Sequence, residues 1–195
     1  MKRVFVIAME NEAAAVRPHL REGDELIVSG IGKVYAAAAT QKAISALGAD
    51  EVVNCGLAGA FGDDVEVGDV FGVESAVEYD FDLAQINGTT VGVKDGETSP
   101  YVKVTSGGGF PLRRLATGDR FNDDEDDMKL IESFGCTLRD MEGAAVAGVC
   151  AANGVKCTIF KCVSDVHGRG TMTGQYLVNM KKALECLSRA VTSLT

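Results

Sequence analysis

Three short apolar runs, the second and third followed by small residues, constrain this chain more than any other feature. They are Arg3 to Met9, Glu25 to Ser29 and Glu51 to Cys55. Runs of this length without polar alternation read as strands buried on both faces. Between them lie a helix opening at Ala13 to Val16 and an alanine-rich helix over Val34 to Leu47. The order strand, helix, strand, helix, strand predicts an α/β fold with a largely parallel central sheet. The loops after the strands are small: Gly30-Ile31-Gly32-Lys33 after the second, Gly56-Leu57-Ala58-Gly59-Ala60 after the third. A glycine turn between strand and helix lets backbone N–H groups approach a ligand or an anion. The full G-x-G-x-x-G pattern is absent and no acid follows at the ribose-reading distance, which excludes a dinucleotide site.

The texture changes at Val67. From there to about Leu115 the signals are short strands with glycine turns: Gly72 to Tyr79, Thr89 to Val93 and Tyr101 to Thr105. This reads as a β-rich insertion, with no Pro/Ser linker to separate it, so residues 1–195 are expected to form one domain. Leu115 to Phe121 resumes the core pattern as a strand running into a glycine turn. Phe121, in polar company, is either a core aromatic or a stacking platform. Met128 to Phe134 is a short helix. Gly143 to Ala152 is an apolar small-residue helix ended by Asn153-Gly154, and it is expected to be almost wholly buried. Thr158 to Val163 is a buried strand ending in Ser164-Asp165. A terminal amphipathic helix over Thr171 to Leu194 follows, with Tyr176, Met180, Leu184, Leu187 and Val191 at helical spacing.

Composition removes several function classes. The 195 residues are 46% hydrophobic and 24% charged, with a net charge of −9 and no basic stripe, which argues against a nucleic-acid partner. The acids between Asp119 and Asp127 read as a solvated loop. No apolar run reaches membrane-spanning length, so no membrane partner is expected. The six cysteines form no C-x-x-C pair and lie mostly in apolar runs, as buried free thiols in a reducing cytoplasm would. Two histidines are too few for a His-rich metal site.

Candidate chemistry rests on acids at strand and helix ends. Asp165 closes a buried strand, where open α/β sheets place ligands and where low dielectric raises a carboxyl pKa toward general-acid use. Its alternative is a turn or helix cap. Glu10 and Glu12 either complement a helix dipole or project over the sheet edge as a base. Glu142, at the amino end of a buried helix, needs donors. A sugar diol could supply two, or Arg139 or a backbone N–H could serve instead. His167 lies in a glycine-flanked loop and is expected to be exposed.

Taken together, the segments Ala8-Met9-Glu10-Asn11-Glu12, Ser29-Gly30-Ile31-Gly32-Lys33, Asn54-Cys55-Gly56-Leu57-Ala58-Gly59, Val67-Gly68-Asp69, Thr117-Gly118-Asp119-Arg120-Phe121, Asp140-Met141-Glu142-Gly143-Ala144 and Ser164-Asp165-Val166 resemble the 5′-methylthioadenosine/S-adenosylhomocysteine nucleosidases of the nucleoside phosphorylase-like superfamily. They follow the family's order over nearly the whole chain. The resemblance implies that fold: a central, mostly parallel twisted sheet with a β-rich insertion, flanked by helices. It implies hydrolysis of the N-glycosidic bond of a 5′-substituted purine nucleoside. Asp165 would act on the purine as general acid, held by Ser164, and Glu12 would activate water. Glu142 would bind the ribose diol and Met141 would pack on the sugar. Phe121 would stack on the base, and Ala58 and Gly59 would approach the nucleoside through their backbone. It implies no metal or organic cofactor, and a homodimer whose partner chain helps close the 5′ pocket.

The chain departs from the family at named places. Leu57 stands where many members have a serine, and Lys161 where an arginine is common. The β-rich region and the loop after Asp165 are short. These changes bear on the 5′ substituent more than on the acids. Futalosine hydrolases share the acid and ribose motifs. A phosphorylase would need cations for phosphate, whereas the first loop offers Glu10 and Glu12. A non-catalytic nucleoside binder would have no use for a water-activating base.

Overall fold

β1 (Arg3–Ile7) is buried along its whole length and shows why the sheet needs cover on both sides. Val4 and Val6 point into one hydrophobic cluster, Phe5 and Ile7 into another. In the computed structural model, which describes residues 1–194, the chain continues through α1 (Glu10–Val16), β2 (Glu25–Val28), α2 (Lys33–Ser45), β3 (Glu51–Ala60) and β4 (Val70–Glu78). Then come α3 (Ala84–Asn87), β5 (Tyr101–Lys103), β6 (Leu112–Thr117), α4 (Glu125–Ser133), β7 (Leu138–Asp140), α5 (Gly143–Asn153), β8 (Lys156–Val166) and α6 (Met172–Ser193). The strands form one eight-stranded sheet in the order β2-β1-β3-β7-β6-β4-β5, with β8 paired to both β3 and β4. Five of its pairings are parallel: β1–β2, β1–β3, β3–β8, β4–β6 and β6–β7. Helices α2 and α5 cover one face with Ala36, Ala43, Ala144 and Ala147. Helices α1 and α6 cover the other with Ala13, Val16, Leu187 and Val191. Among the described residues no helix is long and apolar enough to cross a membrane.

Several boundaries differ from expectation, each for a local reason. β3 does not stop at Cys55 but runs through Gly56 to Ala60, pairing with β8 over its whole length. β8 in turn does not stop at Val163: Ser164 and Asp165 lie inside it. Between Ala58 and Gly59 the register slips, so Gly59 faces Asp165 and Ser164 is the extra residue. A slip of one residue exchanges the faces that side chains occupy. Thr89 to Val93 is a turn and not a strand, since Gly88 and Gly92 adopt φ +71° and +82° and close turns instead of extending. The β-rich stretch joins the main sheet through β4–β6 and β4–β8.

The acids from Asp119 to Asp127 are not simply a solvated loop. Asp124 caps α4, accepting from the backbone N–H groups of Asp126 and Asp127, and the next three acids fill the positive first turn. The helix therefore starts at Glu125, three residues before Met128. Helix α5 buries Gly143, Ala144, Val146, Ala147 and Cys150 but exposes Ala151 to Asn153, so it is covered on one face only. The expected apolar stripe of α6 does pack on the sheet, with Leu187 and Val191 buried and Tyr176, Met180 and Leu184 at its margin. Among the described residues all six cysteines are free, and only Cys186 is partly exposed.

Candidate functional site

A cavity of about 390 Å³ opens above the carboxyl ends of the central strands, and every site residue expected from the sequence lines it: Glu12, Ala58, Gly59, Phe121, Met141, Glu142, Ser164 and Asp165. That volume suits a nucleoside-sized ligand. Glu10, the other candidate in the first loop, is not among the lining residues. It is exposed and pairs with Arg17 at 3.1 Å, the ordinary role of an acid in a first helical turn.

Glu12 projects from α1 and is 3% exposed. Its Oε1 accepts from Leu57 N–H at 2.7 Å and its Oε2 from Met9 N–H at 3.1 Å. Its carboxyl fits because position 56 is glycine: a Cβ there would stand 2.6 Å from Oε1. Asp165 uses the second glycine of the same strand, since a Cβ on Gly59 would lie 2.7 Å from Asp165 Oδ2. The small-residue stretch of β3 is thus the space that two carboxyls occupy. Ser164 Oγ donates to Asp165 Oδ1 at 2.7 Å. Helix α6 secures this end of β8 from outside. Gln175 exchanges two hydrogen bonds with the Val166 backbone, and Asn179 Nδ2 donates to Ser164 O.

Burial raises the pKa of Asp165, while the Ser164 hydroxyl and the charge of Arg139 oppose it. Burial likewise raises Glu12, against the Leu57 N–H and the charge of Lys161. Glu142 is pushed up to about 7, first by burial and then by the neighbouring Asp140 charge. Its Oε1 accepts from Gly32 N–H at 2.8 Å. The glycine turn after β2 therefore does present an N–H to an anion, and that anion is Glu142. Gly32 holds φ +103°, which aims the N–H inward.

One residue noted only as a departure, Lys161, proves central. It is 2% exposed in the middle of β8, and its Nζ lies 2.8 Å from Asp140 Oδ2. Burial alone would lower its pKa, but Asp140, Glu142 and Glu12 outweigh that and raise it. Asp140 also accepts from the Thr117 hydroxyl at 2.6 Å and from Gly143 N–H at 2.8 Å, which ties β6, β7 and the start of α5 together. The available signal was a lysine inside an otherwise apolar strand, where a charge survives only if paired. At the mouth, Phe121 is 49% exposed with Tyr176 edge-on at 5.9 Å. His167 is half-buried at the end of β8, with its ring 5.7 Å from Phe61, and is not among the lining residues.

The geometry is that of a buried site with two separately held acids, a third at a helix start, and an aromatic at the entrance. Residues 25–195 match the family model described as the phosphorylase superfamily. The chain belongs to that superfamily. Within it the chain is nucleosidase-like. It is 29% identical over 204 residues to a 5′-methylthioadenosine/S-adenosylhomocysteine nucleosidase from a Geobacillus strain, covering 87% of each chain. It is 33% identical over 155 residues to the aminodeoxyfutalosine nucleosidase of Campylobacter jejuni, covering 73% of this chain and 68% of the relative. A crystal structure of a methylthioadenosine/S-adenosylhomocysteine nucleosidase from Colwellia psychrerythraea in complex with adenine superposes with TM-score 0.87 at 25% identity. That match spans 100% of this chain and 94% of the other.

Proposed function

We propose that this protein hydrolyses the N-glycosidic bond of a 5′-substituted purine nucleoside, with methylthioadenosine and S-adenosylhomocysteine as substrates. The observation that carries the reading is the pairing of Glu12 and Asp165 with Gly56 and Gly59, which seats two buried carboxyls in one cavity, with two backbone N–H groups and the Lys161 charge favouring the ionised form of Glu12. Breaking the bond from the sugar to the purine develops positive charge on the sugar and negative charge on the base. Asp165, protonated, gives its proton to the departing base. Glu12, ionised, takes a proton from the water whose oxygen bonds to the anomeric carbon. The products are free purine and the 5′-substituted ribose. Each proton transfer is worth roughly 10²–10⁴ in rate, and opposed carboxyls of split protonation state are the usual solution for glycosidic bonds. Glu142 binds the ribose diol, Met141 packs on the sugar, and Phe121 stacks on the base. The backbone at Ala58 and Gly59 lies alongside the nucleoside.

Hydrolysis is favoured over phosphorolysis by the charge around Glu12. Lys161 is neutralised by Asp140 and Arg120 by Asp127, and the Arg139 donors are taken up by the turn at Phe121, so a phosphate would meet the Glu12 carboxylate without a free guanidinium fork. Two features support futalosine-type nucleosides as a second substrate class. The Campylobacter jejuni relative carries that name, and Leu57 leaves an apolar wall beside Glu12. The reading includes one nucleosidase-like domain over residues 1–195, a cytoplasmic location consistent with free thiols, and a homodimer. The dimer is supported by the exposed apolar side chains of Ile31, Val34 and Tyr35, which follow the glycine turn beside the cavity.

Methylthioadenosine in phosphate-free buffer should yield free adenine, and Asp165→Asn should abolish it. Release from futalosine and not from methylthioadenosine would select the second substrate class. Release only with added phosphate would replace hydrolysis by phosphorolysis, and binding without turnover of any of these would overturn the enzymatic reading. Light scattering on the eluted protein tests the dimer.

A further inference from the structure

Two arginines line the cavity: Arg120 is paired with Asp127, and Arg139 carries a charge that the proposed chemistry does not use. It sits on β7, is 4% exposed, and among the described residues no carboxylate forms an ion pair with it. Burying a guanidinium without a carboxylate is costly unless its donors are met. Here they are met by a single turn. Nη1 donates to Asn122 O at 2.9 Å, and Nη2 donates to Arg120 O at 3.0 Å and to Asn122 Oδ1 at 3.0 Å. Nη1 also touches the sulfurs of Met128 and Met172, at 3.7 and 3.4 Å. The two carbonyls belong to the residues on either side of Phe121.

Phe121 itself has little to hold it. Its ring is half exposed, and its ring contact is Tyr176, edge-on. The turn has two other anchors. Asp127 accepts from Arg120 and Asn122, and Asp123 accepts from Met172 N–H at the start of α6. Asp127 holds the side chains on either side of Phe121, whereas Arg139 holds the backbone carbonyls, and it does so from a strand fixed in the sheet. A planar fork with fixed spacing suits this task, and an ammonium does not.

We propose that Arg139 is a positioning residue: its guanidinium grips the peptide carbonyls flanking Phe121 and so fixes that ring where a purine stacks. The identity of the ligand rests on the nucleosidase reading; the grip on the turn does not. Arg139 also faces Asp165, together with Asp123 and Ser164. The test must therefore separate the grip from the charge.

Arg139→Lys does this, because it keeps the charge and loses the fork. Affinity for adenine and for hypoxanthine is measured for wild type, Arg139→Lys, Phe121→Ala and the double variant. Loss of one aromatic–base stack weakens purine binding about tenfold or more, and Arg139→Lys should reproduce several-fold of that. The double variant should bind within about twofold of Phe121→Ala alone, since both remove the same contact. Amide hydrogen exchange of residues 120–123 should accelerate about tenfold in Arg139→Lys, with β3 and β8 amides unchanged as the control for folding. Additive losses in the double variant, wild-type affinity in Arg139→Lys, or unaltered exchange in the turn would each overturn the proposal. If the wild-type protein binds neither purine, the nucleosidase reading fails on that result alone, and the exchange measurement still decides the grip.

Discussion

Replacing Glu142 by glutamine will stabilise the ligand-free protein, and increasingly so as the pH rises. The Glu142 carboxyl titrates at about 7 in the folded chain against 4.5 for an ordinary glutamate, because burial and the Asp140 charge both disfavour its ionised form. A carboxyl whose folded pKa is raised makes the folded state bind more protons than the unfolded one between the two values. Stability is then full below about 4.5 and falls as the pH climbs through 7. The loss is on the order of 1 kcal/mol at pH 5 and about 3 kcal/mol at pH 8.5. A neutral glutamine carries neither penalty, and its carbonyl can still accept the Gly32 N–H. The advantage of Glu142→Gln over wild type should therefore widen by about 2–3 kcal/mol between pH 5 and pH 8.5. In a chain of this length that is about 5–10 °C in the thermal midpoint. Urea unfolding of both proteins at the two pH values measures it directly. An advantage that does not change with pH, or a variant less stable than wild type at pH 8.5, would refute the reasoning. The same variant should lose nucleoside affinity about tenfold, since a charged acceptor for the diol is gone.

The remaining predictions probe the other parts of the site. Gly56→Ala and Gly59→Ala should each cut turnover about tenfold or more while leaving unfolding midpoints nearly unchanged. The new Cβ meets the far end of a side chain and not backbone, so the carboxyl moves and the fold does not; a large loss of stability with normal turnover would contradict this. Lys161→Met should destabilise by about 3–5 kcal/mol, because it leaves Asp140 buried without its partner. Chemical denaturation reads that loss, and a change below about 1 kcal/mol would contradict this account of the pair. A disulfide reagent at neutral pH should modify Cys186 first and the five buried thiols only on unfolding. Burial pushes Cys136 and Cys162 up to about 12, which suppresses the reactive thiolate.

The parallel core was readable because β1, β3 and β8 are continuous apolar runs between small-residue breaks, and the three acids were readable because they sit where those runs meet turns or helices. What escaped has a common cause. Gly56 to Ala60 looks like a loop, since glycine weakens any strand pattern, yet the glycines are there to admit carboxyls within a strand. Ser164 and Asp165 look like a strand end for the same reason: the polar side chains face a cavity, and periodicity cannot distinguish a cavity from solvent. The partners of Arg139 and Asp140 escaped because most of them lie 17 or more residues away, at Asn122, Arg120, Thr117 and Lys161. Gln175 and Asn179 occupy polar positions of an amphipathic helix, where nothing local separates a solvated amide from one that clasps β8. The order β7-β6-β4-β5 depends on long-range pairing that no window of sequence contains.

The pairing of β3 with β8 along the length of β3 has a consequence for how such a protein diversifies. Asp165 and the seats of both carboxyls lie within that ladder, so the spacing of the two acids is set by strand pairing at the centre of the sheet. The exposed residues of the cavity mouth, Ile31 and Phe121, sit on turns outside it. Mutations there leave the ladder intact and are judged only by what they admit. On the proposed chemistry, change in the interior meets the reaction itself, whereas change at the rim meets only what the cavity admits.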